Sequence, residues 1–476
     1  MRQPSAPLLL IAAVALLAAA LALVPFESHD LWWHLRAGEL ILESGRVPAH
    51  NTFSFTAPSF PWITHEWLAE LLFFWVFDRL GPAALVALKA LLVGLTFGVV
   101  CWTAWRESGN AWVAGAVTVI AAQAARFVFD IRPHLFTLLG LALLLAVLSH
   151  DRRRGGRLCY ALVPLFLVWA NLHSGFIVGL GGLALATALT AARRRALWPV
   201  LLLSTLACLL TPNHWRGLWF PLMVSRTTLF TQSLMEWFSP DFHSSWLHGF
   251  EVLLLASIAV LALSRLRPRP FDLLLLVGLA HLALQHQRHA ALFAVAAAPI
   301  LARHGAPLVR VAVDAAPLPG WTARSVAAGL MVAAAVLFAS AFPRHDALGK
   351  MTGRESFPVA AAEHLLRRPP GRVFNHYAWG GYLIWAWRAH PAYRVFIDGR
   401  ADAYPQTVFR DYLSIERLEP EWQSLLNRYG IDVVLYPAGR PLSLMLRQTP
   451  GWERVYVDTV AEVFVRRKQL AKAALE

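Results

Sequence analysis

The chain has 476 residues, of which 57% are hydrophobic and only 15% charged, and its mean hydropathy is +0.50. A soluble protein carries about 25% charged residues and roughly 45–50% apolar ones, so a soluble enzyme, a disordered chain and a coiled coil are excluded. The formal charge of +14 then reads as Lys and Arg retained on the cytoplasmic side of a membrane; no nucleic-acid partner is expected. Cys101, Cys159 and Cys208 all fall in apolar runs, which argues against a disulfide framework.

A bilayer core requires roughly 17–25 apolar residues per helix. The first run, Pro7 to Pro25, follows Arg2 and lacks a small-residue cleavage site, so it reads as a retained first helix. Further runs lie near 81–105, 111–127, 134–149, 158–170, 175–192, 196–211, 249–264, 271–285, 289–302 and 323–342. The expected fold class is an α-helical polytopic membrane protein of about eleven spans.

Charge sets the expected orientation. With the N-terminus cytoplasmic, the cytoplasmic connections hold Arg106 and Glu107, Asp151 to Arg154 with Arg157, and Arg193 to Arg195. Arg265, Arg267, Arg269 and the Arg303–Arg324 segment complete that side. The three-arginine clusters share one face, as positive-inside sorting demands. The other face receives Glu27 to Glu66, Arg132-Pro133-His134, Asn171-Leu172-His173, Thr211 to His248, and His286, Arg288 and His289. Chemistry or binding is therefore expected on the outer side.

The first outer loop reads His29-Asp30-Leu31-Trp32-Trp33-His34, then Gly45, then Thr64-His65-Glu66-Trp67. Its pattern predicts a helix over Leu31–Glu43 stopped by Gly45, and an amphipathic helix over Trp67–Leu80. Trp and Phe beside acids suit helices lying in the membrane interface, joined by a link from Asn51 to Pro61. Asp30 is placed either to cap the first helix or to act as a general base at a partly dry boundary. His34 lies four residues after Asp30, and His65 adjoins Glu66. Two such His–carboxylate pairs make a divalent metal possible, with Asp30 and His34 as candidate ligands, but the spacing leaves the ion unknown.

Arg132 and Arg288 each stand at the outer end of a span, suited to bidentate phosphate contact or to snorkelling toward headgroups. His134, His173, His286 and His289 lie near them in the sequence pattern, and together they suggest a cationic phosphate-binding group. Met235 to Asp241 adds two acids, Asp241 reading as a turn or cap. Lys89, Gln123 and His281 are the polar exceptions within spans, yet they trace no path across the membrane.

Beyond Pro343 the composition becomes more polar. Short β-branched runs at Gly371–Trp385, Tyr393–Arg400, Ile431–Tyr436, Trp452–Asp458 and Ala461–Val465 alternate with helical patterns at 359–367, 406–413 and 421–429. This predicts a small α/β domain. Gly380-Gly381 reads as a close backbone passage at a strand–helix junction. Asp398-Gly399-Arg400-Ala401-Asp402 is a polar cluster after a strand, either a binding turn or a charged surface turn. The expected domains are 1–342, spanning and carrying the first loop 27–80, and 343–476, extracytoplasmic.

A multi-span chain with two interfacial helices in its first outer loop, an Asp directly after span one and an outer C-terminal domain resembles the GT-C glycosyltransferases. These include protein O-mannosyltransferases, aminoarabinose transferases, oligosaccharyltransferases and the bacterial RgtA/B/C/D-like group. His29-Asp30, His65-Glu66 and Arg288-His289 carry the resemblance, and Trp379-Gly380-Gly381-Tyr382 bears a distant likeness to the Trp-Asp-Tyr-Gly stretch of oligosaccharyltransferases. The resemblance implies that Asp30 is the catalytic base or a metal ligand, with Glu66 loosely a second acid; no Asp-Glu or Asp-x-Asp pair occurs in this loop. It also implies a polyprenyl-phosphate-linked sugar donor, an envelope glycan, lipid or protein acceptor, and a bacterial inner-membrane location with the C-terminal domain periplasmic. The alternative from another class is a non-catalytic transporter or scaffold; no paired broken helices of the transporter kind are seen.

Overall fold

A computed structural model describes residues 6–23, 28–190, 193–312, 320–342 and 356–467. Arg2, Glu27 and the expected tail boundary at Pro343 lie outside them. The chain divides into two compact units: residues 1–24 with 83–345, and residues 25–82 with 346–476. The sequence grouped the first loop with the spans; its contacts group it with the tail.

The first unit is helical. Each of the eleven apolar runs holds a helix. Six helices are long and apolar enough to cross a bilayer: Pro82–Ser108, Ala111–Val128, His134–Arg154, Ser245–Leu263, Gln287–Val309 and Gly320–Ala341. Shorter apolar helices cover Ala6–Leu21, Leu158–Leu172, Phe176–Leu189, Arg195–Ala207 and Pro270–Gln285. The chain is a multi-pass membrane protein. Its packing centre is the helix Ala290–Ala312, which lies against helices Ala111–Ala125, His134–Arg154, His248–Leu263 and Pro270–Gln285. Ala290, Ala291, Ala294, Ala296, Ala297 and Ala298 are all buried there, because small side chains let neighbouring helices approach closely within lipid. At one end of this bundle Glu107 accepts from Ser149, from Arg153 at 3.0 Å and from Arg269 at 2.9 Å, tying three helices together.

The second unit joins the first loop to the tail. The loop helices run over Leu31–Ser44 and Trp67–Leu80 as expected, the first ending at Gly45 with φ 64°. Helix–helix contact is closest at Gly38, where a Cβ would stand 2.7 Å from the Glu70 carbonyl carbon and 2.7 Å from Phe74 Cβ. Only glycine permits that approach. The tail forms a four-stranded sheet: β1 Val373–Asn375, β2 Val433–Pro437, β3 Trp452–Val457 and β4 Ala461–Arg466, ordered β1-β2-β4-β3. β1 runs parallel to β2, and the remaining pairs are antiparallel. Helices Val359–Leu366, Gly380–Ala386, Gln406–Glu416, Trp422–Arg428 and Pro441–Gln448 complete the α/β unit.

One expected strand is absent. Tyr393–Arg400 joins no ladder and bends at Phe396 and Gly399; a single parallel bridge links Val395 to Ser54 of the loop. Beside it the fully buried Asn375 side chain does the work of a strand edge, Nδ2 donating to Ile397 O at 2.8 Å and Oδ1 accepting from Phe396 N at 2.8 Å. At Gly380 the backbone of Ile397 and Asp398 passes so near that a Cβ would lie 2.5 Å from Asp398 Cα, the close passage read from the Gly380-Gly381 pair.

Candidate functional site

In the second unit the helix Leu31–Ser44 begins just after Asp30. Asp30 occupies the cap position, but its side chain accepts no hydrogen bond from the helix amides; Ser28 Oγ accepts from Leu31 N at 3.2 Å instead. Asp30 Oδ1 accepts from Trp33 Nε1 at 3.2 Å, and its carboxylate lies against the Cα of Gly399 from the tail. The sequence pairs Asp30 with His34; the structure pairs His34 with two glutamates. His34 Nδ1 lies 3.4 Å from Glu70 Oε1 and Nε2 lies 3.9 Å from Glu66 Oε2. His65 Nε2 stands 3.5 Å from Glu66 Oε1.

These positions follow from local geometry. Glu66 and Glu70 are four residues apart, which places them on one face at the start of the second helix, and the contact at Gly38 sets that face against His34, one turn earlier on the first helix. His34 and Glu70 are each 1% exposed. Burial, reinforced by the neighbouring Glu66, pushes the Glu70 carboxyl well above the usual range. Burial opposes protonation of His65, but Glu66 overcomes it and raises the imidazole. Among the described residues, His34, Glu66 and Glu70 are the group of three donors close enough to share a metal ion; Asp30 is outside it.

The tail supplies the opposite wall. Arg400 is 2% exposed and donates from Nε to Asp398 Oδ1 at 2.8 Å and from Nη2 to Asp398 Oδ2 at 2.7 Å. Its guanidinium lies 4.4 Å from the Trp62 ring centre and 4.5 Å from that of Phe53, both loop residues. Nη2 also reaches Asn51 Oδ1 at 3.2 Å, and Asn51 Nδ2 donates to Ala403 O at 3.0 Å. Asp402 is electrostatically coupled to His65 and Glu66, and burial raises its carboxyl. The polar run Asp398–Asp402 is thus part of this wall rather than a surface turn. Sequence reasoning missed Glu70, for which the four-residue spacing from Glu66 was the available signal; it marked Arg400 and Asp402 within the Asp398–Asp402 cluster but not their place against the first loop.

In the first unit Arg132 and Arg288 meet on one acid. Glu236 accepts from Arg132 Nη1 at 3.0 Å and from Arg288 Nη1 at 2.7 Å. Partial burial resists ionisation of Glu236, but Arg288 and Arg132 override it and hold the carboxyl at about 2. The turn Met235–Trp237 is clamped in place: Trp237 O lies 2.6 Å from His286 Nδ1, and Arg288 covers the Trp237 ring at 4.7 Å. His289 is in ring contact with Trp237 and His286. His134 instead makes a 2.6 Å bond from Nε2 to Val128 O. His173 Nδ1 accepts from Gly175 N at 3.0 Å and is bonded to Thr137 Oγ1 at 2.7 Å, which places it in helix packing between His134–Arg154 and the turn before Phe176. With about a third of each side chain exposed, the Arg132–Glu236–Arg288 trio carries one excess positive charge within reach of an anion.

No protein-family model matches the sequence, and no curated protein matches it. Solved structures do. The chain is similar to the apo oligosaccharyltransferase of Archaeoglobus fulgidus, at 14% identity and TM-score 0.54 over 90% of this chain and 69% of that one. It is also similar to oligosaccharyltransferase AglB from Archaeoglobus fulgidus, a structure in complex with an inhibitory peptide and a dolichol-phosphate, at 13% identity and TM-score 0.52 over 96% and 74%. ArnT from Cupriavidus metallidurans, bound to undecaprenyl phosphate, matches at 15% identity and TM-score 0.46 over 95% and 96%. The fold is that of a polytopic membrane protein with an α/β tail domain. That fold is shared with these two solved archaeal oligosaccharyltransferase structures.

Proposed function

We propose that the protein is a membrane glycosyltransferase that moves a sugar from a polyprenyl-phosphate-linked donor to an envelope acceptor on the periplasmic face of the bacterial inner membrane. The observation that supports this reading is the His–carboxylate cluster of the first loop, one helical turn from Asp30, in a chain of GT-C fold. The one-sided arginine clusters support a cytoplasmic N-terminus.

In this reading Asp30 takes the proton of the acceptor hydroxyl, and that oxygen attacks the anomeric carbon. The bond from carbon to the phosphate oxygen breaks, its electron pair leaving with the lipid phosphate. Glu66 and His65 orient the acceptor. Negative charge grows on the departing phosphate, where fixed cations stabilise the transition state more than the ground state; in this reading Arg132 and Arg288 supply them, with His134 and His289 beside them. Asp30→Asn keeps the shape and removes the base. Transfer from a polyprenyl-phosphate sugar in membranes is expected to fall at least a hundredfold, the range general-base removal costs, at unchanged protein level. Unaltered product would overturn the assignment and favour a non-catalytic role.

A further inference from the structure

We infer that Arg152, Arg153, Arg269 and Arg303, gathered at the arginine-rich end of the helical bundle, bind the phosphate headgroup of one anionic phospholipid. The helix His134–Arg154 separates this group from the Arg132–Glu236–Arg288 trio by its full 21 residues, roughly 30 Å, so the two clusters are independent.

The four guanidinium groups come from three segments and meet on two buried acids. Glu107 accepts from Arg269 Nη1 at 2.9 Å, Arg153 Nη1 at 3.0 Å and Arg152 Nη2 at 3.3 Å. Asp272 Oδ2 lies 3.6 Å from Arg303 Nη1 and 3.7 Å from Arg269 Nη1. The acid side chains are 5% and 6% exposed and the arginines 19–33%, so the acids form a floor and the cations a rim. Four cations against two carboxylates leave two positive charges uncompensated. Arg153 is repelled by Arg106, Arg152 and Arg269, and Arg303 by Arg269 and Arg152. A bound anion relieves that repulsion.

Donors remain to hold it. A guanidinium carries five N–H groups, and Arg153, Arg269 and Arg303 each reach the acids through Nη1. Arg152 Nε is buried and has no hydrogen-bond partner among the described residues, while its guanidinium is held 5.5 Å from the Phe271 ring centre. Leaving a buried donor unpaired is costly, and a phosphate oxygen satisfies it with the geometry guanidinium groups favour. A cleft lined in part by Ser149, Arg152, Phe271 and Arg303 lies beside these donors. The surroundings favour a lipid as the source of the phosphate. Leu273, Leu274 and Val277, each more than 40% exposed, continue from Asp272 along the helix Pro270–Gln285 and give acyl chains an apolar strip below the headgroup. A soluble phosphate gains nothing from that strip. Basic pockets between membrane helices recur as anionic headgroup sites.

The test uses full-length protein delipidated in neutral detergent and titrated, by native mass spectrometry, with phosphatidylglycerol, with phosphatidylcholine and with inorganic phosphate. The expected result is one phosphatidylglycerol per chain, bound roughly tenfold more tightly than phosphatidylcholine and not displaced by excess inorganic phosphate. Arg269→Gln and Arg303→Gln, at the rim, should each weaken binding about tenfold, the worth of a charge-assisted hydrogen bond. Arg265→Gln and Arg267→Gln, exposed in the neighbouring connection, and Arg288→Gln at the other end should bind as the parent does. Arg303→Lys keeps the charge and loses the fork, so its severalfold loss carries the test if a Gln variant fails to fold. Equal binding of the two phospholipids, the same loss in Arg265→Gln as in Arg303→Gln, or displacement by inorganic phosphate would overturn the site. Sugar transfer enters no readout, so failure here leaves the transferase reading standing.

Discussion

Arg400 grips Asp398 with two parallel hydrogen bonds, 2.8 Å from Nε and 2.7 Å from Nη2, in a pocket where neither side chain meets solvent. Tyr404 adds its hydroxyl to the same carboxylate. The pair stands between the tail and the first loop, since Trp62, Phe53 and Asn51 form the rest of the cage. Removing one partner of such a buried pair leaves the other charge uncompensated, at about 3–5 kcal/mol. Arg400→Met should therefore lower the thermal unfolding midpoint of the whole protein sharply, and Arg400→Lys should fail to restore it, because an ammonium cannot make the fork. An unchanged midpoint in the Met variant would show that the pair contributes nothing.

Gly38→Ala tests how the loop helices are brought together. The added methyl group would press on the Glu70 backbone and on Phe74 Cβ. Overpacking of this kind costs about 1–3 kcal/mol, and the helices must part to relieve it, carrying Glu70 away from His34. Reduced thermal stability with increased hydrogen exchange in residues 67–80 is the expected outcome. Exchange like the parent's would mean that the crossing relaxes elsewhere.

How much of this was legible beforehand depended on the range of the interaction. Apolar run length alone located the eleven apolar helices, six of them long enough to cross a bilayer, because a bilayer leaves the backbone no other way to satisfy its hydrogen bonds. Trp67–Leu80 was equally plain, its boundaries being local signals. Tyr393–Arg400 shows the limit: its residues favour extension, but what they extend against is a side chain, Asn375, and a loop residue, Ser54. No periodicity encodes such partners. The Asp398–Asp402 cluster was visible as a polar turn, but its packing against the first loop was hidden for the same reason, since Asn51 and Arg400 are 349 residues apart.

Glu236 gives a pH dependence with a definite sign. Its carboxyl is depressed to about 2 in the folded chain, against about 4.3 when unfolded. A depressed acid contributes stability that is present above the unfolded value and is lost as the pH falls through the folded one. Thermal midpoints of the parent should drop between about pH 4.5 and pH 2 more steeply than those of Glu236→Gln, which has no charge there to lose. Parallel curves would show that Arg132 and Arg288 do not hold the acid ionised.

The same acid would limit Arg132 and Arg288 in their proposed role as phosphate ligands. Arg132 and Arg288 each spend one Nη1 on Glu236, yet a guanidinium carries five N–H donors, so an incoming phosphate can be met by donors that remain or can displace the carboxylate. Displacement exchanges one anion for another at the same two cations, and Glu236 then acts as a competitor. A charge-assisted hydrogen bond is worth about 1.5–3 kcal/mol, which corresponds to roughly a tenfold to hundredfold change in affinity. Arg132→Gln and Arg288→Gln should each weaken polyprenyl phosphate binding to the purified protein by that order. Glu236→Gln should strengthen it, because the neutral amide gives up its hold on both guanidinium groups. Titration with a polyprenyl phosphate and with an uncharged polyprenol separates the headgroup from the tail: only the phosphate should respond to the three variants. Equal responses of both lipids would remove these arginines from the phosphate site.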